Sequence, residues 1–206
     1  MDNFVVCAVD IGSVRKGRLG WCRSVSHQKF QGGTDIQSLV NLLAQDLSTG
    51  MSIAIGFECP LFVPIPDDPI LLTSQRTGEY GRPWSAGAGS AALATGLSES
   101  VWILEQIRKR SNRRVIPTLK WEEFRSAEAN LLVWEAFVTR NAKSVSHQGD
   151  AETAVKTFWT AFSDISQATA VTADNPYCLI GAALLRAGMT NDLSILFQQC
   201  IVLKSS

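Results

Sequence analysis

The chain has 206 residues, 46% of them hydrophobic, and its 19 basic residues equal its 19 acidic ones. That length and apolar content suffice for one sizeable core, and the balanced charge excludes a protein that holds polyanions by its overall field, leaving local clusters as the only electrostatic means. Five cysteines (Cys7, Cys22, Cys59, Cys178 and Cys200) are scattered without a C-x-x-C pair, which argues for reduced core thiols over a disulfide framework or a zinc finger.

In chain order, residues 4–9 form a continuous apolar run with Val5, Val6 and Val9, the composition of a strand buried on both faces. It ends at Asp10-Ile11-Gly12. The polar, basic segment 13–20 contains Arg15 and Lys16 and leads into a second strand over 19–25, with a third near 29–31, so a hairpin follows. Thr34-Asp35 is an N-cap signal for an amphipathic helix carrying Ile36, Leu39, Val40, Leu43 and Leu47 and closed by Gly50. Residues 52–57 are again β-like. A strand, helix, strand order of this length predicts parallel pairing, with Glu58 at the end of the second core strand.

Residues 60–85 carry Pro60, Pro64, Pro66, Pro69 and Pro83 together with Arg76, Arg82 and Trp84, which predicts an irregular insertion of the kind more often functional than idle. A helix from about 90 to 111, with Leu93, Leu97, Val101, Leu104 and Ile107 on one face, ends in the basic string Arg108, Lys109, Arg110, Arg113 and Arg114. A short strand at 115–119 and a stronger one at 131–139, containing Glu135, come next. Residues 150–165 read as a helix. A helix over 179–187 and a final strand over 194–203 form a C-terminal extension at about 174–206. No repeat or linker divides the chain, so residues 1–206 are read as one domain. The start of the sequence lacks the basic-then-apolar pattern of a secretory signal. The apolar stretch 86–97 is shorter than the ~20 residues needed to span a bilayer, so the expected location is cytoplasmic, with no membrane segment.

Hydrolysing a phosphodiester with divalent ions needs several carboxylates at one spot, because hard cations prefer oxygen ligands and clustered acids repel one another without a cation between them. Asp10 and Glu58 end two runs expected to be adjacent parallel strands about 4.8 Å apart. His147-x-x-Asp150-Ala151 opens a helix, and its three-residue spacing puts the imidazole and the carboxylate on one face.

These segments resemble the ribonuclease H-like superfamily, in particular its Holliday-junction-resolvase branch. The fuller resemblance is to a family of predicted ribonuclease H-like nucleases of unknown function, through Val9-Asp10-Ile11-Gly12, Glu58-Cys59-Pro60, Val133-Trp134-Glu135 and His147-Gln148-Gly149-Asp150-Ala151, spanning roughly residues 4–160. The resemblance implies an α/β ribonuclease H-like fold with a mixed central sheet of five strands or more flanked by helices. It also implies Asp10, Glu58 and Asp150 as metal ligands, with Glu135 or His147 completing a catalytic set, and two Mg2+ (or Mn2+) ions that activate water and stabilise the leaving oxygen. The expected partner is nucleic acid, DNA or RNA, with a homodimer left open.

Each residue also has a plainer reading. Asp10 can be a turn residue bonding its own backbone, and Asp150 can simply cap its helix. Glu135 can point outward by strand alternation, and His147 can be an exposed loop histidine. Arg76, Arg82 and Trp84 in the long insertion, and Arg15 and Lys16 after the first strand, are the candidate substrate contacts, since arginine pairs with phosphate and tryptophan stacks on bases. Beside the nuclease stands a second hypothesis, a nucleotide- or metal-binding module on the same fold that does not cut. A third, the actin-like phosphotransferase class, shares the D-x-G opening but needs two such domains. Cys59 lacks a nearby activating histidine in sequence and reads as buried.

Overall fold

The computed structural model describes residues 3–205, apart from the side chain of Arg140. Its centre is a mixed sheet of seven strands, built outward from β1, Phe4–Asp10. β1 pairs antiparallel with β2 (Gly20–Ser26), which pairs antiparallel with β3 (Lys29–Gly33). On its other side β1 runs parallel to β4 (Ser52–Phe57), in a register that sets Val9 beside Phe57. β4 in turn runs parallel to β7 (Leu131–Val138), which is also flanked in parallel by β6 (Pro117–Thr118) and β9 (Val202–Ser205). A separate two-stranded ribbon pairs β5 (Phe62–Pro64) with β8 (Pro176–Cys178).

All seven residues of β1 are buried because helices cover both faces of the sheet, the usual setting for parallel strands. Side chains alternate between the two layers. Val5, Cys7, Val9, Ile53, Ile55, Phe57, Leu131 and Val133 pack into one cluster with α1 (Ile36–Ser48), α2 (Gly87–Arg110) and α5 (Leu179–Arg186). Phe4, Val6, Ala8, Ala54, Leu132 and Trp134 pack on the opposite face with α3 (Trp121–Arg125) and α4 (His147–Ala161). α1 begins as its sequence predicts: Asp35 accepts hydrogen bonds from the backbone of Gln37 and Ser38, and the buried stripe is Ile36, Leu39, Val40, Leu43, Ala44 and Leu47.

Several elements differ from expectation. The predicted strand over 194–203 is a 3-10 helix, Leu193–Phe197, followed by the shorter β9, because Asp192 caps a helical turn by accepting from the Ser194 backbone. α2 buries Gly96, Ser100, Ile103, Leu104 and Ile107, whereas Leu97 is exposed. Its small residues set the close-packed side, and Gly96 lies where a Cβ would come 2.4 Å from Cys59 Sγ. α3 and the β5–β8 ribbon have too few residues for a periodic signal. All five cysteines are free and buried, as their spacing suggests. Among the described residues, no helix is long and apolar enough to cross a membrane.

Candidate metal centre

Asp10 is the last residue of β1. The backbone N–H of Glu58 donates to Val9 O at 2.8 Å, so the β1–β4 ladder continues one step past Phe57. Even-numbered residues of both strands face α4, and the two carboxylates emerge together at the same end of adjacent strands. Asp150 comes from the first turn of α4, whose N-cap Ser146 accepts from Gly149 N at 3.1 Å. The helix's positive end favours an acid at this position. What presses this turn onto the sheet is Gly20, the partner of Asp10 in β2: a Cβ there would come 2.2 Å from the His147 carbonyl carbon. One carboxylate oxygen from each of Asp10, Glu58 and Asp150 then lies within 4.8 Å of the other two.

Asp150 is not the helix cap. It ties down the preceding loop instead, accepting from the Ser144 backbone. Nor is Asp10 a turn residue bonding its own backbone, since its Oδ2 meets His147 Nδ1, which stands half-exposed at the rim. Lys143 was not a candidate from sequence, yet its ammonium lies 3.0 Å from Glu58 Oε1 and 3.2 Å from Asp150 Oδ2. Glu99, also unforeseen, reaches from α2 to accept from Gly12 N at 3.3 Å, two residues after Asp10.

The acids sit in a poorly solvated place. Burial pushes Asp10 from an ordinary 3.8 up to about 6, against the pull of Lys143. Burial and then the charge of Asp10 push Glu58 from 4.5 up to about 8. Glu99 is raised to about 7 by burial, partly offset by the Gly12 N–H. Burial draws the Lys143 ammonium down, but Glu58, Asp10 and Asp150 outweigh it and hold it above its ordinary value. Three carboxylates facing one ammonium remain short of positive charge. Among the described residues, Glu58 Oε2 is buried without a hydrogen-bond partner, an arrangement that costs free energy unless something supplies positive charge. Oxygen donors around an orphaned carboxylate oxygen suit a hard divalent cation.

Two expected site residues belong elsewhere. Glu135 pairs in register with Phe57 and so points to the α1–α2 face, away from Asp10 and Glu58. There both its oxygens are taken by Arg76, at 2.6 and 2.8 Å, and Leu61 N adds a third hydrogen bond at 2.9 Å. Arg76 is correspondingly no substrate contact. It is 2% exposed and donates to Glu79 Oε1 at 2.9 Å and to Phe62 O at 3.2 Å, so it pins the insertion to the sheet. Trp84 is half-buried and spends its indole N–H on Ser74 O, within the same loop. Arg82, Arg15 and Lys16 are exposed.

The basic string ending α2 joins helices: Arg110 donates to Asn41 and Gln37 of α1, and Arg113 to Gly50 O. Cys59 is buried, and burial holds its thiol well above its ordinary value, the environment of an inert core thiol. No protein-family model matches the chain, and neither a curated protein nor a solved structure matches it.

Proposed function

We propose that the protein is a divalent-metal-dependent nuclease of the ribonuclease H-like kind, hydrolysing phosphodiester bonds of nucleic acid. The observation that carries this reading is the convergence of Asp10, Glu58 and Asp150 within 4.8 Å, where two neighbouring parallel strands end and a helix begins. In open α/β sheets, ligands bind at the carboxyl ends of the strands. Asp10 and Glu58 would hold the ion, with Asp150 bordering the same pocket, and Mg2+ or Mn2+ fits these oxygen donors. A bound ion of this type supplies Lewis acidity at the phosphoryl oxygen and lowers the pKa of a bound water.

The chain's own residues supply the rest. Asp10 and Glu58 are set by backbone pairing and need little reorganisation to meet a ligand. His147, half-exposed and touching Asp10 Oδ2, stands at the mouth of the site, where its ring can take or give a proton at a departing or attacking oxygen. Arg15 and Lys16, in the exposed 3-10 turn Val14–Lys16 between β1 and β2, offer cations to a phosphate backbone.

The test is purified protein with Mg2+ or Mn2+ and labelled single-stranded, duplex and branched DNA and RNA. Cleavage is expected for at least one substrate. Asp10→Asn or Glu58→Gln should lower the rate by more than the roughly 10–100-fold typical of changes to residues that only support a ligand. A folded protein that binds Mn2+ yet cuts none of these substrates overturns the nuclease reading in favour of a binding module.

A further inference from the structure

The space between Glu58 and Asp150 is already taken by a cation. Lys143 Nζ contacts one oxygen of each, at 3.0 and 3.2 Å, within ordinary hydrogen-bond reach. It comes from the connection between β7 and α4, so it bridges an acid that follows a strand and an acid on a helix. Glu58 divides its two oxygens: Oε1 faces Lys143, while Oε2 is the buried oxygen without a partner among the described residues. Asp150 is likewise engaged on both sides, by Lys143 at Oδ2 and by Ser144 N at Oδ1. The oxygens left for an added ion are therefore Glu58 Oε2 and Asp10 Oδ1, since Asp10 Oδ2 already faces His147 Nδ1.

Charge count points the same way. Once a divalent ion displaces the protons on these acids, three carboxylates and one ammonium sum to minus two, which one such ion neutralises. Two such ions beside the ammonium would leave plus two in a half-buried site, where like charges in contact repel strongly. Resting on the metal-site reading above, we propose that Lys143 stands in the place of a second cation, so that this site takes a single divalent ion on Asp10 and Glu58. Asp150 then acts as a positioning residue, holding Lys143 and the start of α4.

Mn2+ titration by calorimetry and electron paramagnetic resonance tests this on the full chain. The wild-type protein should bind one equivalent in the site, with the signal of an isolated Mn2+. Lys143→Met and Lys143→Gln should admit a second ion, seen as a second equivalent and a spin-coupled pair. They should also tighten the first ion at least about tenfold, since an adjacent like charge is gone. Lys143→Arg should keep wild-type stoichiometry. A coupled pair in the wild-type protein overturns the proposal, as does unchanged stoichiometry and affinity in both neutral variants with intact circular dichroism. Should the wild-type protein bind no Mn2+ at millimolar concentration, the metal-site reading itself has failed, and Asp10→Asn would then leave the titration unaltered.

Discussion

Glu58 and Glu135 stand one step apart in height on neighbouring strands, yet they serve opposite layers. Phe57 is the residue in register with Glu135, so the pleat sends Glu135 toward α1 and α2 and sends Glu58 toward α4. The consequence is a division of labour between two acidic clusters. Glu135, Arg76 and Glu79 form a buried set in which both acids share one guanidinium as counter-charge. Arg76→Met removes the counter-charge of two buried carboxylates and should lower stability by about 3–5 kcal/mol in urea unfolding, while Mn2+ stoichiometry stays as in the wild type for whatever fraction folds. Arg76→Lys should recover only part of the loss, because an ammonium cannot reproduce the bidentate fork. Glu58 behaves in the opposite sense. Its raised pKa, about 8, means that without an ion its charge opposes folding. Glu58→Gln should therefore make the metal-free protein more stable at pH 8 while weakening Mn2+ binding, a trade of stability against function. Denaturant midpoints with and without Mn2+ measure both effects.

At the scale of elements, the site is assembled where the N-terminus of α4 rests on β2. Gly20 allows it: His147 and Gln148 backbone atoms lie 2.2–2.4 Å from where a Cβ would be, and backbone cannot swing aside as a flexible side chain can. Gly20→Ala should push the first turn of α4 outward, carrying His147 and Asp150 with it. The expected result is a roughly 10–100-fold weaker Mn2+ affinity, of the order seen when a residue that orients a ligand is changed, with about 1–3 kcal/mol of destabilisation from overpacking. Unaltered affinity by calorimetry would show that the helix start is not what places Asp150. α2 contributes from the other side of the sheet, reaching Gly12 through Glu99 and lying tightly on Cys59 at Gly96.

For the molecule as a whole, the raised carboxyls set the pH dependence. Asp10 at about 6 and Glu58 at about 8 bind protons in the folded state that an unfolded chain, with values near 3.8 and 4.5, has released. Stability falls with rising pH wherever the native state holds more protons. The contribution of these two groups is therefore fully present below about pH 4 and is lost as pH climbs through 6 and then 8. Millimolar Mn2+ should reverse the loss at pH 8, because an ion that binds only the folded chain stabilises it by mass action, and ion affinity should itself rise across that window. Thermal unfolding at pH 5 and pH 8, each with and without Mn2+, distinguishes this from a pH response spread over the surface: in that case the ion would stabilise the fold equally at both pH values.

Asp10, Glu58 and the His147-x-x-Asp150 pair are legible in the sequence because each closes or opens a strongly patterned element, and chain direction puts those ends on one edge of a parallel sheet. The helices and strands around them are legible for the same reason, with Asp35 and Gly50 marking the bounds of α1 and the apolar runs 4–9 and 52–57 having the composition of doubly covered strands. Only the tertiary structure decides the rest. Which layer Glu135 faces depends on its register against Phe57. Its partner Arg76 lies 59 residues away in a segment without periodicity. Lys143 occupies an irregular connection and Glu99 a helix of small residues, so neither carries a local signal. Their roles arise from burial and charge, which are properties of the space between elements, whereas the periodicity of a sequence reports only the element it belongs to.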